Sequence, residues 1–378
     1  MNKDRGIITV LIASLAFFSV VLVRFSIPSL LPYMVRENGI TTAMGGLIIS
    51  LLWVGYTIFQ IVGGVIVDRY GYNVVIFVLI LIAILNIVYP IIITQYYILL
   101  IIQFIMGSLL AITYVTLVSM VLINYGRGGL GAGIYQSMFF LASSISIILS
   151  PYLFSVNKCL PFALFSTLVF LSAIPITKVP KRGKTGNSSI VIGPENIRVL
   201  GMGFIRFSSG FSYLGFLGWS TYYVVHVLKV SPSYSGFYAF LSSIMGSIGA
   251  VIGGYMGDRV GYALPSVLSS LFLAIIVAVI PRLSIFYLMA FAMLMLGFLY
   301  GFYAAPSIAI SKFTKNVGAA SGFLNFMSQL GGSISPYLIG FLLQYYNFAV
   351  TLLLIGVIAI ISIIIGAIFI MMRGVDYI

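Results

Sequence analysis

The sequence predicts an all-α membrane protein of twelve spanning helices, built as two repeated halves of six. Three observations predict it. First, 61% of the 378 residues are hydrophobic and only 7% are charged, with a mean hydropathy of +1.19. An ordinary soluble domain is about a quarter charged. Second, the few charges leave long apolar gaps between them. Third, one polar turn recurs in each half of the chain. The composition excludes a conventional soluble enzyme, a disordered chain and a secreted disulfide scaffold. The single cysteine, Cys159, has no internal disulfide partner.

No Asp, Glu, Lys or Arg falls between Arg69 and Arg127, or between Lys315 and Arg373. Each gap is too long for one span of about 20 residues and suits a hairpin of two. The hairpin turns fall at Tyr89-Pro90 to Thr94-Gln95 and at Gln344 to Asn347. Shorter gaps supply the other spans, giving limits near 7–31, 44–66, 74–91, 96–123, 130–153, 160–177, 198–225, 234–256, 263–280, 284–309, 318–342 and 349–371. The runs are too long and too uniformly apolar for barrel strands. The first run follows Met1-Asn2-Lys3-Asp4-Arg5, a flank like that of a signal peptide. Its length and the eleven spans after it favour a retained anchor over a cleaved leader.

With the N-terminus placed in the cytoplasm, the inside flanks carry 13 basic residues: Lys3, Arg5, Arg69, Arg127, Lys178, Lys181, Arg182, Lys184, Arg198, Arg259, Lys312, Lys315 and Arg373. The outside flanks carry 4: Arg36, Lys158, Lys229 and Arg282. This positive-inside bias sets both termini in the cytoplasm. It accounts for the formal charge of +13 without nucleic acid. The sustained polar stretch in the middle, Lys178 to Asn196, reads as a cytoplasmic linker. The expected division is therefore residues 1–178, a linker at 179–197, and residues 198–378.

Gly63-Gly64-Val65-Ile66-Val67-Asp68-Arg69-Tyr70-Gly71-Tyr72 closes span 2. Gly253-Gly254-Tyr255-Met256-Gly257-Asp258-Arg259-Val260-Gly261-Tyr262 closes span 8. Six of the ten positions are identical at an offset of 190. Ser150-Pro151-Tyr152-Leu153 and Ser335-Pro336-Tyr337-Leu338 echo each other more faintly. Internal duplication is a common construction of secondary transporters. Glycines there let helices approach closely and the chain reverse. Asp68 and Asp258 suit hydrogen bonds from a neighbouring helix N-terminus. No metal cluster, nucleophile triad or phosphate-cradling loop has usable spacing, and no cofactor is expected.

Gly64-x-x-x-Asp68-Arg69-x-Gly71 and Gly254-x-x-x-Asp258-Arg259-x-Gly261 resemble the loop motif of the major facilitator superfamily. The resemblance implies two pseudo-symmetric six-helix bundles around a cavity that opens alternately to either side. It also implies a conformational lock at Gly64, Asp68, Arg69 and Gly71, with Arg127 beside them and Gly254, Asp258, Arg259 and Gly261 as counterparts. It further implies a monomer. The sequence departs from the motif at Tyr72-Asn73 and Tyr262-Ala263, where basic residues are usual. In span 4, Gln103-Phe104-Ile105-Met106-Gly107 stands where many proton-coupled members carry an arginine. Arg24-Phe25-Ser26 with Gly55-Tyr56-x-x-Phe59-Gln60-Ile61 looks like the organic-anion branch of the family.

An intramembrane charge is costly and is generally buried in a bundle or cavity. Arg24 has three readings: a cavity cation, a snorkelling side chain, or half of a structural pair. Gln103 should lie at a similar depth. Arg206, in span 7, is either a structural residue reaching inward or a cavity cation. All six acids, Asp4, Glu37, Asp68, Glu195, Asp258 and Asp376, fall outside the spans. Two membrane arginines with no fixed counter-acid favour an anionic substrate, and Arg pairs well with carboxylate or phosphate. Tyr56, Tyr114, Gln136, Tyr213, Asn325 and Gln329 are the uncharged candidates for substrate contact, or for helix–helix contacts. His226 is more simply a solvated loop residue than a titrating switch. Gly297-x-x-x-Gly301 and Pro306 predict close packing and a bend in span 10. The leading expectation is carriage of a small organic anion by alternating access. The alternatives are an exporter of amphiphiles and a membrane sensor without flux.

Overall fold

A computed structural model describes residues 3–38, 42–179, 197–223, 227–229, 232–283 and 286–372. Most of the expected linker, residues 180–196, and His226 lie outside the described residues. The fold is all-α. Its helices are α1 (Lys3–Asn38), α2 (Thr42–Tyr70), α3 (Val74–Ile92), α4 (Tyr96–Asn124), α5 (Gly128–Val156), α6 (Leu160–Ile176), α7 (Ile197–Tyr222), α8 (Pro232–Val260), α9 (Ala263–Val279), α10 (Phe286–Ala309), α11 (Val317–Leu342) and α12 (Phe348–Met371). In lipid every backbone amide and carbonyl needs an internal partner, which a helix supplies within one segment.

By length and composition, nine helices among the described residues can cross a membrane. The protein is a multi-pass membrane protein. The three other helices have physical reasons to differ. Helix α6 is apolar but only 17 residues long. Helices α7 and α11 are diluted by small and polar residues, which they bury: Ser208, Ser209 and Ser212 on α7, and Ser321, Asn325, Ser328 and Ser335 on α11.

Helix ends follow local chemistry. Both hairpin turns fall where the sequence placed them, between Ile92 and Tyr96 and between Leu342 and Phe348. At the second, the Asn347 side chain accepts from Val350 N at 3.0 Å and caps α12. The last glycine of each repeated motif ends its helix with positive φ, 76° at Gly71 and 89° at Gly261. Gly71 N donates to Val67 O at 2.9 Å, a left-handed helix cap that a Cβ would strain.

The chain forms two compact units. The first holds Met1–Gly126, Met138–Ile190 and Asn316–Gly322; the second holds Arg127–Ser137, Val191–Lys315 and Phe323–Ile378. Thus the first turns of α5 and α11 each join the unit built mainly from the other half of the sequence. In the first unit α2 packs along α4 and α3 along α6; in the second α8 packs along α10 and α7 along α12. Glycine makes the α2–α4 and α8–α10 contacts close. A Cβ at Gly55 would meet Phe104 O, and one at Gly107 would meet Leu52 O. In the second unit, Gly297 and Gly301 lie against the backbone of Ser242 and Gly246, as the span 10 spacing predicted.

Candidate functional site

Three charged side chains are buried among the described residues: Arg24, Asp68 and Arg206. What each one touches distinguishes them.

Arg24 lies on α1 in the first unit and is 3% exposed. It does not snorkel. Its guanidinium carbon stands 3.8 Å from the Tyr56 ring centre and 4.1 Å from that of Trp53, with Phe139 at 5.7 Å and Phe25 at 6.0 Å. The Trp53 and Tyr56 rings are 6.1 Å apart and inclined at 80°. They therefore wall the cation on two sides rather than sandwich it. Its Nε and Nη2 are buried and have no hydrogen-bond partner. An orphaned buried donor costs about 1–3 kcal/mol. A desolvated cation–π contact returns about 2 kcal/mol. The rings thus offset part of the cost but supply no acceptor.

The packing of α2 on α4 sets the surroundings. With Gly55 against Phe104 and Gly107 against Leu52, Gln103 lies at the level of Trp53 and Tyr56. Gln103 is 1% exposed and its Oε1 has no partner. One turn past Tyr56, Gln60 is fully buried with neither carboxamide atom partnered. Tyr114 is buried, its ring 6.5 Å from Tyr56 and 5.5 Å from Phe17. The first unit therefore sets Arg24 against the Trp53 and Tyr56 rings, with Tyr114 beyond Tyr56 and Gln103 at their level on α4.

Arg206 in the second unit has a different environment. Its Nε donates to Leu324 O at 2.8 Å. Nη1 donates to Ala304 O at 3.2 Å and to Ser307 Oγ at 2.6 Å, and Nη2 donates to Asn325 Oδ1 at 3.1 Å. Four of its five N–H groups are taken by α10 and α11. This is a helix-to-helix clamp, and it draws Asn325 into the same structural role. The Tyr213 hydroxyl shares a 2.8 Å hydrogen bond with Ser242, and its ring stacks on Tyr300 at 4.0 Å. Gln136 is buried on α5, and Gln329 is half-buried on α11.

Asp68 and Asp258 each hold the start of a helix. Asp68 Oδ1 accepts from Gly318 N at 3.0 Å and Oδ2 accepts from Ala319 N at 2.8 Å, at the first turn of α11. Asp258 Oδ1 accepts from Gly129 N at 2.8 Å and Oδ2 from Leu130 N at 2.7 Å, at the first turn of α5. These amides have no partner within their own helices, and the helix dipole favours a negative charge there. Glycine permits the approach. A Cβ at Gly64 would stand 2.5 Å from Gly318 O, and one at Gly254 would meet Gly129 O. Arg69, Arg259 and Arg127 are exposed; Arg69 lies 5.5 Å from the Tyr70 ring and Arg259 4.6 Å from that of Tyr255.

The Tyr262 hydroxyl donates to Asp258 Oδ1 at 2.7 Å, and its counterpart Tyr72 donates to Ser119 O at 3.5 Å. Burial, and then the bond to Asp258, push the Tyr262 phenol well above its ordinary range.

The sequence reading did not find the partners of either aspartate. A signal was present: Gly133-x-x-Gln136-x-Met138 and Gly322-x-x-Asn325-x-Met327 repeat at an offset of 189. That repeat puts Gly129-Leu130 opposite Gly318-Ala319. Trp53 was a candidate to line a cavity, with an interfacial or packing role as the default; Phe139 was missed, because with 29 phenylalanines nothing in the sequence singles out one.

A family model for the Major Facilitator Superfamily matches residues 13–336 and 202–376. The chain belongs to the Major Facilitator Superfamily. It is a secondary transporter working by alternating access, and its family is one of carriers rather than enzymes. Similar solved structures share the fold over nearly their whole length. The human organic anion transporter MFSD10 (TETRAN) matches with TM-score 0.81 at 13% identity, covering 97% of this chain and 100% of that one. The E. coli fucose:proton symporter FucP matches with TM-score 0.71 at 17% identity, covering 96% and 99%. The proton:xylose symporter XylE, solved with 6-bromo-6-deoxy-D-glucose, matches with TM-score 0.77 at 12% identity, covering 98% and 97%. No curated protein sequence matches the chain significantly.

Proposed function

We propose that this superfamily member carries a small organic anion, with Arg24 as its charge partner. One observation carries the reading: a buried guanidinium whose Nε and Nη2 have no acceptor. A buried cation left without a counter-charge is unfavourable unless a ligand supplies one. Gln103, Tyr56 and Tyr114 complete the contact surface in the first unit, and Gln136, Tyr213 and Gln329 are the candidates in the second. The human relative in fold is named an organic anion transporter, which agrees with this reading at 13% identity.

The proposed architecture is two six-helix bundles, residues 1–178 and 198–378, joined by a cytoplasmic linker, with both termini cytoplasmic and the carrier monomeric. The motif residues at Gly64, Asp68, Arg69 and Gly71, their counterparts at Gly254, Asp258, Arg259 and Gly261, and Arg127 are proposed to govern the conformational cycle. Exchange or uniport suits a chain whose six acids all lie outside the expected spans better than proton symport does. An exporter of amphiphiles is the second reading, favoured by the four aromatic rings around Arg24.

The test is thermal stabilisation of the detergent-purified protein by carboxylates, phosphorylated sugars, neutral sugars, amino acids and lipophilic cations, beside Arg24→Ala. A ligand that binds only the folded state raises its apparent stability. A saturable shift from one anion class, lost in Arg24→Ala, is expected. A shift from lipophilic cations alone, unchanged in the variant, would overturn the anion reading and leave the exporter.

A further inference from the structure

The three buried charges differ in what neutralises them. Asp68 is held by two amides at the start of α11. Arg206 places four donors on protein acceptors. Among the three, Arg24 has its Nε and Nη2 unpartnered, and the groups shown around it are the rings of Phe25, Trp53, Tyr56 and Phe139. We infer that the site takes a monoanion with an apolar body: one carboxylate on the Nε and Nη2 edge of Arg24, with the rest of the ligand against Trp53, Tyr56 and Phe139.

The argument is one of charge and surface. The buried, unpartnered edge of Arg24 presents two roughly parallel N–H groups, which match the two oxygens of one carboxylate. A second carboxylate on the same molecule would need a second cation. Arg206 is the other buried cation among the described residues, and it is already committed to α10 and α11. A dianion would therefore bury one charge without a partner, at a cost that its second hydrogen-bonding group does not recover. The walls around Arg24 suit apolar contact, since Phe25 and Phe139 offer no hydrogen-bonding group and the Trp53 and Tyr56 rings present faces or edges to the cation. A polyhydroxylated acid would lose its hydration against them.

This inference rests on the proposed role of Arg24, so the experiment separates the two. Ligand-induced thermal stabilisation is measured at pH 8 with matched probes of equal length or framework. These are hexanoate against adipate and hexanamide, benzoate against phthalate and benzamide, and lactate against malate. Wild type, Arg24→Gln and Arg24→Lys are compared. Hexanoate or benzoate is expected to give a saturable shift, with half-saturation at least tenfold lower than for adipate or phthalate, and lactate weaker than both. The amides give none, Arg24→Gln abolishes the shift, and Arg24→Lys restores only part of it, because an ammonium lacks the fork. If adipate or phthalate binds as tightly as its monoanion and still depends on Arg24, the monoanion inference is overturned and the anion reading stands. If the amides bind as well as the acids, or no probe gives an Arg24-dependent shift, the role of Arg24 fails and the inference fails with it. The wild-type comparison of acid, diacid and amide decides the charge question even where Arg24→Gln does not fold.

Discussion

Replacing Asp68 by Asn tests the latch at the start of α11 most directly. The amides of Gly318 and Ala319 sit in the first turn, where no carbonyl of their own helix can reach them. Asp68 accepts both, at 3.0 and 2.8 Å, and is 1% exposed. Hydrogen bonds to a charged acceptor contribute roughly 1.5–3 kcal/mol each, and the helix dipole adds about 0.3–1 kcal/mol. Asn keeps one oxygen and turns an NH2 group towards the other amide, so one bond is lost and a donor meets a donor. The remaining bond also loses its charge. The local loss is about 2–4 kcal/mol, which corresponds to roughly 30- to 1000-fold in the opening equilibrium of that turn. Hydrogen–deuterium exchange resolved at residues 316–322 reads this out. Exchange at Gly318 and Ala319 should accelerate by that factor in Asp68→Asn, while the interior amides of α12 keep their rates. Acceleration of less than about threefold would refute the reasoning that Asp68 is the acceptor on which those amides depend.

Further outcomes are expected. Asp258→Asn should release the Gly129 and Leu130 amides of α5 in the same assay, because Tyr262 and the two amides then compete for one oxygen. Tyr262 carries a pH signature: the fold favours the neutral phenol, so its contribution is complete below the ordinary tyrosine range near 10 and declines as pH rises above it. Melting temperatures of wild type and Tyr262→Phe should run parallel from pH 7 to 9 and converge only above that. Arg206→Ala should destabilise by about 3–5 kcal/mol with or without ligand, since it strands buried acceptors on α11; an unchanged melting temperature would exclude the clamp. Arg24→Gln should not lower the ligand-free melting temperature, because the orphaned donors it removes cost at least as much as the cation–π contact it loses. Gly64→Ala should weaken the Asp68 latch, because its Cβ meets the backbone of Gly318 and Ala319.

Much of the fold was legible because lipid removes alternatives. Apolar runs of spanning length must be helices there, and the scarce charges mark their ends. The hairpin turns at 93–95 and 343–347, the close packing at Gly297 and Gly301, and the capping glycines at 71 and 261 could all be read from residue types alone. The sequence reading also anticipated that Asp68 and Asp258 would meet helix N-termini, since a carboxylate after a glycine pair at a helix end suits little else.

What the sequence by itself determined is thus one-dimensional: which segments are helical, where they end, and that the chain repeats. The tertiary structure decided what each buried charge meets. Arg24 and Arg206 are the same residue type in the first helix of each half, and nothing local separates them. Arg206 became a clamp because α10 and α11 bring carbonyls and Ser307 within hydrogen-bond distance. Arg24 stayed unpaired because α2 and α5 bring it aromatic rings instead. The physical reason is that a guanidinium takes its role from acceptors supplied by distant helices, and helix-to-helix packing is not encoded in the spacing along either one.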